Sequence, residues 1–211
     1  MNKTLIIGAS GQIGQMVTTA LAETDQPVRA LVRDKTKLEP IAGSQLEIME
    51  ADLEGDFSAA FDGMSNVIFC AGSGGTTGAD KTLLIDLWAA KKAVDYAKKQ
   101  SVKKFVMVSS MGVDDPDAIG GDIKPYLVAK HMADQYLMES GVPYTLVRPG
   151  PLTNDEGQGK ITIKRPAHVD EMSISREDVA KSLLFILTKE GLDSKIFELF
   201  NGTYEVENVL V

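Results

Sequence analysis

Cysteine is almost missing from this chain of 211 residues: Cys70 stands alone, which excludes an internal disulfide and fits a reducing compartment. Histidine is nearly as scarce. His131 and His168 are the only two, and neither has a cysteine or a second histidine at ligand spacing, so the sequence offers no metal site. Positive charge is outnumbered, with 22 Lys and Arg against 30 Asp and Glu and a net charge of −8. A chain of that sign lacks the basic surface that neutralises phosphates, so neither nucleic acid nor a membrane is an expected partner. Long apolar runs are also absent. Residues 4–22 carry no charge and superficially imitate a signal peptide or membrane span, yet glycines, glutamines and hydroxyl residues interrupt them. The expectation is a cytoplasmic protein, monomeric or homodimeric, that acts on a small molecule.

What is present is an ordinary globular composition, 44% hydrophobic and 25% charged, enough for one domain over residues 1–211. The chain is organised around residues 4–34. Leu5 to Ile7 is a short apolar run suited to a strand buried on both faces, and Gly8, Gly11 and Gly14 follow it at three-residue spacing. Gly8 suits the tight turn out of the strand, Gly11 lets a pyrophosphate approach the backbone, and Gly14 lets the next helix lie close to the sheet. Ile13, Val17, Ala20 and Leu21 recur at helical spacing, and Val28 to Val32 closes a unit of about thirty residues as a second strand. Free N–H groups at the helix start would then face phosphates, which makes a nucleotide cofactor the leading expectation. An NAD-preferring site places an acid near the end of the second strand for the ribose 2′-hydroxyl; here Arg33 stands there and suits a 2′-phosphate, favouring NADP over NAD. Pairing of a solvated Arg33 with Asp34 is the competing reading.

Further along, Asp34 can cap a short helix over 35–39, and Leu46 to Met49 is a third strand that delivers Asp52 and Leu53 to the carboxyl edge. There Leu53 would wall an adenine and Asp52 would supply a polar contact or merely a turn. Val67 to Cys70 is a fourth strand, followed by a loop of small residues from Ala71 and Gly72 to Gly78 that leaves a ligand room. A long helix over 81–99 follows, on which Trp88 reads as core or interface packing and Lys81 as a phosphate contact or a solvated charge. Phe105 to Val108 runs into Ser109-Ser110, residues 112–124 form an acidic loop or lid, and a helix from Pro125 reaches Ser140 with Gly141 beyond it. Tyr126 and Lys130 lie four residues apart on that helix and so share a face. Thr145 to Val147 ends at Arg148-Pro149-Gly150, residues at about 150–175 read as a small substrate cover with a strand at 161–163, and Ser175 caps a helix with Asp178 three residues on. Ile196 to Phe200 is a last strand. The alternation implies an α/β fold: one doubly wound, mostly parallel Rossmann sheet with helices on both faces.

Gly8-Ala9-Ser10-Gly11-Gln12-Ile13-Gly14, Leu31-Val32-Arg33-Asp34, Val108-Ser109-Ser110 and Val147-Arg148-Pro149-Gly150 together resemble the signatures of the atypical short-chain dehydrogenase/reductases, in the NmrA-like and sugar-epimerase-like branch. The resemblance covers nearly the whole chain. It implies cofactor contacts from Gly8, Ser10, Gly11, Gln12, Ile13, Gly14, Arg33, Asp52, Leu53, Ala71, Gly72, Lys130 and Pro149. Tyr126-Leu-Val-Ala-Lys130 is similar to the superfamily's Tyr-x-x-x-Lys pair, which implies Tyr126 as general acid or base, Lys130 on the nicotinamide ribose, and Ser110, or else Ser109, on the substrate oxygen. A tyrosine near pKa 10 needs its phenolate stabilised to act as a base, and Lys130 one turn away would supply that. The function implied is an NADP(H)-dependent oxidoreductase or epimerase-like enzyme; the alternative is a non-catalytic NADP(H) sensor of the NmrA-like kind.

Overall fold

The computed structural model of the chain describes all residues except Met1, Glu39, Pro40 and Ala42. Its centre is a nine-stranded sheet. In chain order the strands of the molecule are β1 (Thr4–Ile7), β2 (Val28–Val32), β3 (Leu46–Glu50), β4 (Asn66–Phe69), β5 (Lys104–Val108), β6 (Tyr144–Pro149), β7 (Leu152–Thr153), β8 (Lys160–Thr162), β9 (Ile174–Ser175), β10 (Lys195–Asn201) and β11 (Tyr204–Glu205). Their order across the large sheet is β11-β8-β10-β6-β5-β4-β1-β2-β3, and every neighbouring pair from β10 to β3 is parallel. The doubly wound Rossmann expectation holds.

Period-two alternation along the buried strands builds both layers. Ile6 of β1 points to the face covered by the Gln12–Ala22 and Arg176–Thr188 helices, through Ile13, Val17, Val179 and Leu183. Leu5 and Ile7 point the other way, to Ala90, Ala93, Val94, Ala133 and Leu137 on helices 79–99 and Lys124–Glu139. Residues without bulk recur on that second face, so its helices sit close to the strands.

Local signals hold at most ends. Asp34 accepts from the Thr36 N–H at 2.9 Å and caps a short turn at Lys35–Lys37; Glu39, at the far end of the expected helix, lies outside the described residues. The Ser175 hydroxyl accepts from the Asp178 N–H at 3.0 Å, as a capping residue should. Other features depart from expectation. The helix over 79–99 contains wide π-type turns at Thr82–Ala89, and Trp88 on it is 49% exposed with the Lys91 Nζ 5.3 Å from its ring centre, rather than packed in the core. The sheet also gains an antiparallel edge, β8 on β10 and β11 on β8, while β7 and β9 form a separate parallel pair. β8 meets the strand expected at 161–163 to within one residue, whereas the two-residue β7, β9 and β11 are too short for periodicity to reveal them.

The segment following β6 is clamped by glycine. A Cβ on Gly150 would overlap the Met172 carbonyl oxygen and come within 3.0 Å of the Phe200 ring. Gly150→Ala is therefore expected to destabilise the protein by about 1–3 kcal/mol, seen as a lowered denaturant midpoint at unchanged slope. An unchanged midpoint would mean that the 150–175 segment is free to shift.

Candidate functional site

The chain reverses direction across the sheet between β1 and β4, which sit side by side although β2 and β3 intervene in sequence. Crevices form at the carboxyl ends of such a pair. Gly8 turns out of β1 with φ +87°, and a Cβ there would stand 2.7 Å from Ala71 beyond β4. Gly14 is equally constrained, because a Cβ would stand 2.9 Å from Ala9 Cα and overlap the Gly8 carbonyl oxygen. Gly11 differs. Its φ of −74° suits any residue and a Cβ would meet only the Gly8 oxygen, at 3.3 Å. Packing demands glycine at 8 and 14, whereas at 11 the space kept open belongs to the cleft.

That cleft has two halves. The first, of about 350 Å³, is lined by Gly8, Ser10, Gly11, Arg33, Asp52 and Leu53 among others; the second, of about 650 Å³, by Ile13, Asp86, Ser109, Tyr126, Lys130 and Pro149 among others. Cys70, Ala71, Gly72, Ser73 and Thr77 line both halves, so they form one continuous trough. Gln12 and Gly14 line neither: Gln12 offers only its N–H at the start of an uncapped helix, and Gly14 serves packing. Helix Gln12–Ala22 has no side-chain cap and no acidic residue in its first turn, which leaves its leading N–H groups to a ligand.

In the first half Arg33 is exposed and forms no ion pair among the described residues; Asp34 instead holds Thr36. Asp52 lines the cleft and also makes a turn, accepting from the Glu54 N–H at 2.9 Å. Lys92 ties that turn down through the Leu53 carbonyl at 2.8 Å. Lys81 reaches the same half but is paired with Glu54.

In the second half, Lys130 is 2% exposed and donates its Nζ to the Val108 carbonyl at 2.7 Å. Burial pulls its pKa down, opposed by the carboxylates of Asp86 and Asp134. Asp134 is fully buried and pairs with Arg148 at 3.0 Å; burial still pushes its carboxyl up, against Lys130 and Arg148. The Ser109 hydroxyl and the Asp134 Oδ1 are both buried and make no well-aligned hydrogen bond, yet they lie near enough that Ser109 helps to hold the Asp134 carboxyl down. Ser109 lines the cleft. Ser110 does not; its hydroxyl donates to the Met111 carbonyl at 3.1 Å and lies beside Tyr126. Tyr126 itself is pushed up to about 12, first by burial and then by Asp86, with Ser110 acting weakly the other way. The lowering expected from Lys130 is not found, because that ammonium is spent on Val108 and two carboxylates. Of the 150–175 segment only Leu152 lines the trough, and the 112–124 loop contributes Asp122 and Ile123.

Asp86 was invisible to the sequence reading. It is 1% exposed, and its Oδ2 accepts from the Ser73 N–H at 3.1 Å. It sits within the π-type turns, and such widened turns recur at functional sites. Among the described residues no group of acids, histidines and cysteine could hold a metal ion, and no helix is long and apolar enough to cross a membrane.

Comparison with known proteins shows the family and the fold. Residues 8–190 match the model of a family described as NAD(P)H-binding. The uncharacterized sugar epimerase YhfK of Bacillus subtilis (strain 168) is 38% identical over 99% of this chain and 98% of its own. A solved Bacillus halodurans protein, assigned by its name to the NAD-dependent epimerases/dehydratases, is 40% identical with a TM-score of 0.92, covering 100% of this chain and 99% of that one. The oxidoreductase ylbE of Lactococcus lactis is 28% identical with a TM-score of 0.86, over 99% and 94% of the two chains.

Two half-buried acids at the trough predict alkaline sensitivity. Cys70, whose thiol burial pushes up to about 12, and Tyr126 both keep protons in the folded state that the unfolded chain sheds from about pH 9 and 10 upward. A raised pKa in an acid means that stability present below the unfolded value is lost as pH rises, here between about 9 and 12. Each group contributes up to about 1.4 kcal/mol per pH unit. Denaturant titrations from pH 8 to 11 should show this decline, with a shallower fall in Cys70→Ala. Equal slopes in both proteins would refute it.

Proposed function

The chain belongs to the NAD(P)H-binding family, and from that membership we propose that it is an NADP(H)-dependent oxidoreductase acting on a small molecule, working in the direction of reduction. One observation carries the reading: the glycine turn, Arg33, which has no ion pair among the described residues, and the Tyr126–Lys130 pair open into a single trough. The vacancy at Gly11, which packing does not require, fits a pyrophosphate against the start of the Gln12–Ala22 helix. Arg33 would take the 2′-phosphate, and Asp52 and Leu53 would flank the adenosine end. Bound NADPH would supply a hydride in the second half of the trough. The 150–175 segment covers that half through Leu152.

Tyr126 is suited to giving a proton rather than taking one. A phenol held near 12 stays protonated at neutral pH, yet remains a stronger acid than the product alcohol, so it can protonate the alkoxide that forms when a carbonyl accepts hydride. Ser109 lines this half with a buried hydroxyl that lies near Asp134 and makes no well-aligned hydrogen bond, which suits it to bind the same oxygen. Lys130 orients the carboxyl end of β5 through Val108 and presents its charge at the trough wall. The alternative reading, an NADP(H) sensor of the NmrA-like kind, is favoured by that same contact, since Lys130 makes no hydrogen bond to Tyr126.

Three variants test these roles. Arg33→Ala should weaken NADPH binding about tenfold while leaving NADH unchanged, measured by fluorescence titration; equal wild-type affinities for the two would remove the NADP preference. Gly11→Val should abolish binding of either nucleotide in a protein whose circular dichroism is native. Tyr126→Phe should lower the rate of NADPH oxidation with a carbonyl or quinone acceptor by about 10²-fold at nearly unchanged NADPH affinity. Tight NADPH binding without oxidation by any acceptor would favour the sensor.

A further inference from the structure

The substrate half of the trough has a charge pattern of its own. Asp86 and Asp122 line it as carboxylates, and Lys130 is the one lining cation among the described residues. That cation is committed before any ligand arrives: Lys130 Nζ donates to Val108 at 2.7 Å and is flanked by Asp86 and Asp134. No arginine lines this half, and Arg148 at the end of β6 is held by Asp134 at 3.0 Å. Asp86 is the buried member. Its Oδ2 is fixed by the Ser73 N–H, while its Oδ1 has no hydrogen-bond partner among the described residues and stands 3.0 Å from where a Cβ on Gly72 would lie, on the wall shared by both halves.

A diphosphate entering here would place two negative charges against a poorly solvated carboxylate with no cation left to answer them. Coulomb repulsion at such distances and reduced dielectric outweighs what a few neutral donors could return. We infer that this half of the trough takes a phosphate-free organic acceptor, and that Asp86 sets a preference for positive over negative charge in it. The inference rests on reading this half as the substrate side of an NADP(H) site, and it speaks against a nucleoside diphosphate sugar as substrate. The cofactor half, with exposed Arg33 and the uncapped helix start, remains the place for phosphate.

The test is a charge series on one bicyclic ring, bound to NADP-loaded protein and followed by calorimetry: N-methylquinolinium, quinoline and quinoline-4-carboxylate, with UDP-glucose as the diphosphate probe. The expected order is cation, then neutral, then anion, spanning at least tenfold, with no UDP-glucose binding at millimolar concentration. Asp86→Asn should compress the cation-to-anion ratio about tenfold with quinoline affinity as the internal reference, a readout that mere loss of packing, which would weaken all three rings alike, would not produce. Asp122→Asn, on the exposed loop, should change the ratio far less. UDP-glucose binding, a flat series, absence of cation binding, or a series unchanged in Asp86→Asn would each overturn the inference. NADPH titration of the same samples separates this from the cofactor reading, because failure of NADPH to bind the wild type would sink that reading, and this one with it, whereas NADPH binding with a flat series sinks this inference alone.

Discussion

Everything at the carboxyl edge depends on one close approach, that of the Gly8 turn to Ala71 across the β1–β4 boundary. A Cβ at residue 8 would come within 2.7 Å of the neighbouring backbone, and Gly14 repeats the demand between the first helix and the turn itself. With those two contacts in place the helix start is drawn to the mouth of the crevice, and its uncapped N–H groups point into it. The apolar layers enforce the same geometry from below. Leu5, Ile6 and Ile7 are fully buried, so β1 has no freedom to slide and release the turn.

The second constraint is electrostatic. Lys130, Asp86, Asp134 and Arg148 are all buried, and their formal charges cancel. An isolated charge in that environment would be prohibitive, while removing one member of a buried pair typically costs 3–5 kcal/mol. The cluster ties helix Lys124–Glu139 to the ends of β5 and β6 through Val108 and Arg148. It also explains why Tyr126 is held protonated: the lysine that would lower its pKa is already shared among other partners. On the trough wall the Asp86 Oδ1 is the cluster edge left without a hydrogen-bond partner among the described residues.

Much of this was legible in the residues. The three glycines, the apolar runs of β1 and β2, the Asp34 and Ser175 caps and the four-residue spacing of Tyr126 and Lys130 are local patterns, and local hydrogen bonding or side-chain period decides each of them. Gly8 stands in the expected turn and Gly14 at the expected close approach of the first helix, though Gly14 does not reach the cleft where a cofactor contact was expected. The two-residue strands β7, β9 and β11 were not legible, since two residues carry no period, whereas β8 was legible to within one residue at 161–163; the exposure of Trp88 was not legible, on a helix whose apolar residues are spread around its circumference.

By itself, then, the sequence determined the doubly wound sheet, most of its strands and helices, and the glycine turn that opens the first helix, because those follow from short-range spacing and from which faces must be buried. Only the tertiary structure decided which charges meet. Asp86 faces Ser73 and the Tyr126–Lys130 pair because widened turns rotate it inward, and Asp134 takes Arg148 from a different element. No local rule selects such partners, because the free energy of a buried charge depends on every group the completed fold places around it.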